Sequence, residues 1–168
     1  MGIDKWESLV ELLHNDGIGV VQLGKRTDRY VRGAYSLLGL TTPRQMISLL
    51  RLFDAVVTVD NLVMHAAHLW ELPTLVLWGP TDHRVYGYAE QVHLQAKLDC
   101  EYGEGCVGPG HAAIYQTACL KGDAQCMRTF NLETVHGAIR NLLDKMAPQA
   151  RPAISAIEPG PALPSAIS

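Results

Sequence analysis

An aspartate, a histidine one helical turn further on and a Gly-Pro-Thr-Asp turn punctuate the stretch VVTVDNLVMHAAHLWELPTLVLWGPTD, residues 56–82. Asp60 closes a β-branched apolar run, and Leu62 to Trp70 has the composition of a helix. A helix start leaves its first N–H groups unpartnered and carries partial positive charge, so it attracts phosphate. Asn61 and Leu62 would supply those donors, and Asp60 could accept hydrogen bonds from sugar hydroxyls. His65 could pair with a phosphate when protonated or donate one hydrogen bond when neutral. Each residue also has a plain structural use. Asp60 could cap the helix, His65 could be a boundary histidine, and Gly79-Pro80-Thr81-Asp82 could be a turn and nothing more. A zinc pair of His65 with His68 lacks a suitably placed third ligand.

The elements that must hold these residues read as alternating helices and strands. Trp6, Leu9, Val10 and Leu13 fall at helical spacing, with Asp4 as a cap and Asn15-Asp16-Gly17 as a stop. IGVVQL (18–23) predicts a short buried strand closed by Gly24. Thr42-Pro43-Arg44-Gln45 has the pattern of a capping box ahead of a helix whose apolar face is Met46, Leu49, Leu50 and Phe53. AVVTV (55–59) and TLVLW (74–78) are continuous apolar strands, VHLQAK reads as an edge strand, and Asn131 caps a last helix carrying Leu132, Val135, Ile139, Leu142 and Met146. Continuous strands between helices predict an α/β doubly wound domain with a parallel sheet covered on both faces. In such sheets ligands bind beyond the carboxyl ends of the strands, where Asp60 and Gly79 fall.

The same stretch resembles the signature of glycosyltransferase family 9, the ADP-heptose:lipopolysaccharide heptosyltransferases and their relatives. That signature runs apolar strand, Asp-Thr-Gly-x-x-His, small-residue helix, Pro before a strand, then Phe-Gly-Pro-Thr-Asp. LTTPRQMISLLRLFDAVVTVD is similar to the helix leading into it, and CMRTFNLETV to the family's Cys-Met-x-x-Ile-x-x-x-x-Val ending. The resemblance spans roughly residues 5–146. It implies a Rossmann-like sheet, the C-terminal half of the two-domain GT-B architecture, that holds a nucleotide-sugar donor, here ADP-heptose. The implied donor contacts are Asp60, Asn61, Leu62, His65, Thr41, Gly24, Lys5, Gly79 and Thr81, and transfer itself requires no cofactor. Asn61-Leu62 departs from the family's Thr-Gly, and Lys25-Arg26 follows Gly24 where the family often has an acid. The strand and phosphate loop ahead of the first helix, and the acceptor-binding half with the proposed base, are expected to lie outside this chain. Residues 1–146 are thus expected to form the donor-binding domain, needing an N-terminal acceptor domain or partner chain to transfer a glycosyl group to a lipopolysaccharide core or protein. The alternative is a non-catalytic Rossmann-like module whose cysteine loop mediates assembly.

Cys100, Cys106, Cys119 and Cys126 lie at C-x5-C-x12-C-x6-C in a loop-rich stretch, 98–128, that is poor in core residues. Tetrathiolate zinc sites pair their ligands more tightly, two to four residues apart. A structural zinc or iron ion, with His111 as a substitute ligand, stands beside disulfides and unpaired thiols. Some relatives of the resembled family carry a cysteine cluster here, with a metal-holding finger in the protein-glycosylating branch. Residues 147–168, rich in Pro, Ala and Ser, read as a disordered tail.

Composition bounds the rest. A net charge of −3 and 18% charged residues argue against a nucleic-acid surface. No apolar run suits a transmembrane helix, and the start MGIDKWESLV lacks the features of a signal peptide. A cytoplasmic protein, peripheral at most to a bacterial inner membrane, is the expectation.

Overall fold

The computed structural model describes residues 1–97, 99–100, 106, 119, 121–122 and 124–145. Met146, His111 and the tail 147–168 lie outside them.

Helix α1 (Ile3–Asn15) buries Leu9, Val10 and Leu13. Its N-cap is Gly2 and makes no side-chain bond, so Asp4 is not the cap; it lies in the first turn, where its carboxylate complements the positive helix end. Gly17 follows at φ 76°, a left-handed conformation glycine adopts without strain. The apolar run 18–23 forms only a two-residue strand, β1 (Val21–Gln22), because its single partner β2 (Tyr35–Ser36) is equally short. The two run parallel, Val21 opposite Tyr35.

Helix α2 (Pro43–Leu49) begins with the expected capping box. The Thr42 hydroxyl accepts from the Gln45 N–H at 3.3 Å, and the Gln45 carboxamide oxygen accepts from the Thr42 N–H at 2.9 Å. Replacing Thr42 with alanine is expected to cost about 1 kcal/mol. It would be read as a lower urea midpoint at unchanged slope. The helix then tightens into a 3-10 turn, Leu50–Leu52, which rotates the expected apolar stripe. Leu50 is fully buried, while Met46, Leu49 and Phe53 are half-buried.

The main sheet has strands β3 (Val56–Val59), β4 (Thr74–Trp78) and β5 (Val92–Gln95), all parallel and in that order. Every residue of the central strand β4 is buried, and the packing explains its unbroken apolar sequence. Leu75 and Leu77 face a cluster with Leu9 and Leu13 of α1 and with Val135, Ile139 and Leu142 of α6 (Leu132–Asp144). Val76 and Trp78 face the other way and pack with Met64 of α3 (Leu62–Leu69). Ile18 and Val20 beside β1 and Val57 and Val59 of β3 border the first of these cores, yet β1–β2 and β3–β4–β5 are separate sheets. Two short helices, α4 (His83–Tyr86) and α5 (Gln125–Arg128), flank the far ends of the strands. Among the described residues no helix is long and apolar enough to cross a membrane.

Candidate functional site

Parallel pairing puts the carboxyl ends of β3 and β4 side by side. Val59 is opposite Leu77, so Asp60-Asn61 emerges beside Trp78-Gly79. Asn61, not Asp60, caps α3: its side-chain oxygen accepts from the Val63 N–H at 2.8 Å and from the Thr58 hydroxyl at 3.1 Å. Asp60 is left exposed at the strand tip with no helix to cap. The Met64 N–H donates to the Asn61 carbonyl, and among the described residues no hydrogen bond engages the Leu62 amide at the helix start. Leu62 itself is exposed.

Gly79 ends β4 where a side chain would collide with the chain beside it. A Cβ there would lie 2.8 Å from the sulfur of Met127 on α5. Its carbonyl accepts a hydrogen bond from the Gln95 side-chain amide, so the turn is tied to the end of β5. Half-buried Thr81 follows. Asp82 caps α4 by accepting from the Arg84 N–H at 2.9 Å and also meets the Arg84 guanidinium at 2.7 Å. The Arg84 side chain, then its backbone N–H, hold the Asp82 carboxyl down to about 2. A depressed carboxyl contributes stability that is present above its ordinary 3.8 and lost as pH falls through about 2. The Arg84 side chain is 71% exposed, so solvent screens the pair and the contribution is small.

The other candidates are distributed differently. His65 is exposed on α3, its Nδ1 2.9 Å from the Tyr88 hydroxyl. Lys5 directs its ammonium at the carbonyls of Arg128 (2.8 Å) and Phe130 (3.0 Å), clamping α1 to the approach to α6. Thr41 is half-buried just ahead of the α2 cap. Gly24 meets an acid that sequence reading missed: a Cβ there would lie 2.5 Å from a carboxylate oxygen of Asp28, which also accepts from the Lys25 N–H at 2.7 Å. The bond spans only three residues, and an Asp four positions after the glycine that closes the apolar run was the available signal.

All four cysteines are half-buried and none forms a disulfide among the described residues. Burial pushes the Cys106 thiol up, and the charges of Cys119, Cys126 and Cys100 push it further. Cys126 is raised in the same way. Among the described residues no group of three or more His, Cys, Asp or Glu side chains is arranged to hold a metal ion.

A parallel sheet covered by helices, with loops at the adjoining carboxyl ends of its strands, defines the chain as Rossmann-like, of the kind found in GT-B glycosyltransferases. The chain belongs to glycosyltransferase family 9 (heptosyltransferase), whose sequence profile matches residues 2–101, more than half of its length. In three dimensions it is similar to the ADP-heptose LPS heptosyltransferase II of E. coli, with a TM-score of 0.60 at 18% identity over 86% of this chain. It is also similar to the family 9 glycosyl transferase of Veillonella parvula, with a TM-score of 0.64 at 15% identity over 86% of this chain. In both cases it spans 42% of the length of the solved structure. No curated protein matches it.

Proposed function

We propose that this chain is the donor-binding portion of a family 9 glycosyltransferase, holding the diphosphate of a nucleotide sugar at the start of α3. The supporting observation is the β3–α3 junction. Asn61 takes over the capping, Asp60 stands exposed beside it, and among the described residues no hydrogen bond engages the Leu62 amide. A backbone N–H at a helix start, reinforced by the helix dipole, is suited to a phosphate oxygen. Asp60 is then placed to accept from the hydroxyls of the sugar, and Asp28 beside Gly24 could serve a ribose. Membership of the family favours ADP-heptose as donor and a lipopolysaccharide core or protein hydroxyl as acceptor. The catalytic contribution of this portion is to orient the donor and support the departing diphosphate electrostatically, with an acceptor-binding half supplying the base.

Calorimetric titration with ADP and with inorganic pyrophosphate tests the reading. Saturable binding of both is expected, weakened by about threefold to tenfold in Asn61→Ala as the junction loosens. No heat with ADP at millimolar concentration would overturn the proposal and favour the non-catalytic assembly module instead.

A structural zinc or iron ion at the four thiols is a separate proposal, supported by their concentration in the single stretch 98–128. Protein purified without chelator is expected to release one equivalent of metal on treatment with a thiol-specific mercurial, and Cys106→Ser to release none. Four thiols that titrate with no metal released would reject it.

A further inference from the structure

Tyr88 lies outside every motif of the sequence, yet the structure fastens it more elaborately than any other residue near α3. His93 holds its main chain. The Trp78 indole N–H, which can only donate, points at His93 Nδ1 from 2.9 Å, so that nitrogen is the acceptor. His93 Nε2 then carries the proton and donates to the Tyr88 carbonyl at 2.9 Å. Gln91, three residues on and buried, donates from its amide to the Met64 carbonyl at 3.1 Å, which ties this segment to α3 beside His65.

The Tyr88 ring is fixed as well. His68 stacks on its face, with centroids 3.6 Å apart and planes 8° from parallel, and is itself paired with the Glu90 carboxylate. The Glu90 backbone N–H, followed by His68, keeps that carboxyl below its ordinary value against the opposing effect of burial. His65 meets the ring edge-on at 87°, and its Nδ1 lies 2.9 Å from the hydroxyl. Nδ1 is thereby occupied, and Nε2 is the ring nitrogen left to a ligand.

We propose that Tyr88 is a positioning residue. Its hydroxyl, donating to His65 Nδ1, holds the neutral imidazole in the tautomer with the proton on Nε2. A neutral histidine free to choose would offer a lone pair to a ligand part of the time, which an anionic oxygen repels. Held in this form it always offers an N–H, which a phosphate oxygen accepts. That His65 serves a phosphate rests on the donor-site reading above; the tautomer does not.

Nitrogen-15 imidazole spectra of the full chain and of Tyr88→Phe, taken at about pH 8 where an ordinary imidazole is neutral, test the idea. In the unaltered chain His65 is expected as the Nε2–H form, and in Tyr88→Phe as a mixture. Affinity for ADP in Tyr88→Phe is expected to fall by about threefold to tenfold at that pH. The deficit should vanish at the lower pH at which the same spectra show the His65 ring carrying both N–H groups, since Tyr88 then selects nothing. His68 and Glu90 share this unit, and a His68→Gln variant that keeps the His65 tautomer separates their contribution from that of His65. An unchanged tautomer in Tyr88→Phe, or an affinity loss equal at both pH values, would overturn the inference. Failure of the unaltered chain to bind ADP would overturn the donor-site reading, and the spectra would then decide the role of Tyr88 alone.

Discussion

Replacing Trp78 with alanine is expected to destabilise the chain by about 3–5 kcal/mol. Trp78 is wholly buried at the end of the central strand, packed with Met64 and Val76 and bordered by Tyr88. Its removal opens a cavity where the surrounding backbone cannot close in, since Gly87 already approaches so nearly that a Cβ there would lie 3.1 Å from the indole. The substitution also takes away the proton that the indole aims at His93 Nδ1, leaving a half-buried acceptor without that partner. A domain with a net stability of about 5–15 kcal/mol would lose much of it. Urea titration should show a strongly lowered midpoint at unchanged slope. Trp78→Phe separates the two contributions: it refills most of the cavity but not the hydrogen bond, so its cost should fall to about 1–3 kcal/mol. A loss below about 1 kcal/mol for alanine would contradict the packing described.

Asp60→Ala is expected to weaken binding of ADP-heptose by about 10- to 100-fold, the effect of removing hydrogen bonds to a charged group. Binding of ADP alone should change by no more than about twofold, because the carboxylate is assigned to the sugar and not to the diphosphate. The structure makes this contrast available. Asn61 carries the capping of α3, so Asp60 can be removed without unravelling the helix that presents the Leu62 amide. Paired calorimetric titrations with the two ligands give the result directly. Equal losses for both would place Asp60 at the diphosphate, and no loss for either would remove it from the site.

Local chemistry was readable in the sequence where neighbours along the chain decide the outcome. Thr42 and Gln45 form their capping box because both partners lie within one turn. TLVLW became β4 with the expected limits because a strand buried on both faces has no polar positions to blur its ends. At the β3–α3 junction two adjacent residues could each cap, and only the backbone geometry selects Asn61 over Asp60. Lys5 binds carbonyls more than 120 residues away, a contact with no trace in local spacing. The fastening of Tyr88 was hidden for the same reason. It depends on α3 and β5 converging on a loop residue from opposite directions, and none of its partners is distinctive alone.

The separation of β1–β2 from β3–β4–β5 has a consequence for how the molecule opens. Side chains beside both sheets share one core, but among the described residues no ladder of backbone hydrogen bonds carries cooperativity from one to the other. The short pair at 21–36 can therefore detach in rare excursions while the three-stranded block stays closed, so its amides should trade protons with solvent far sooner than those of β4. Gly24 and the Asp28 carboxylate over it belong to the looser portion, whereas Asp60 and Gly79 are borne by the firm one. A ligand that touches both would act as the missing splice between them.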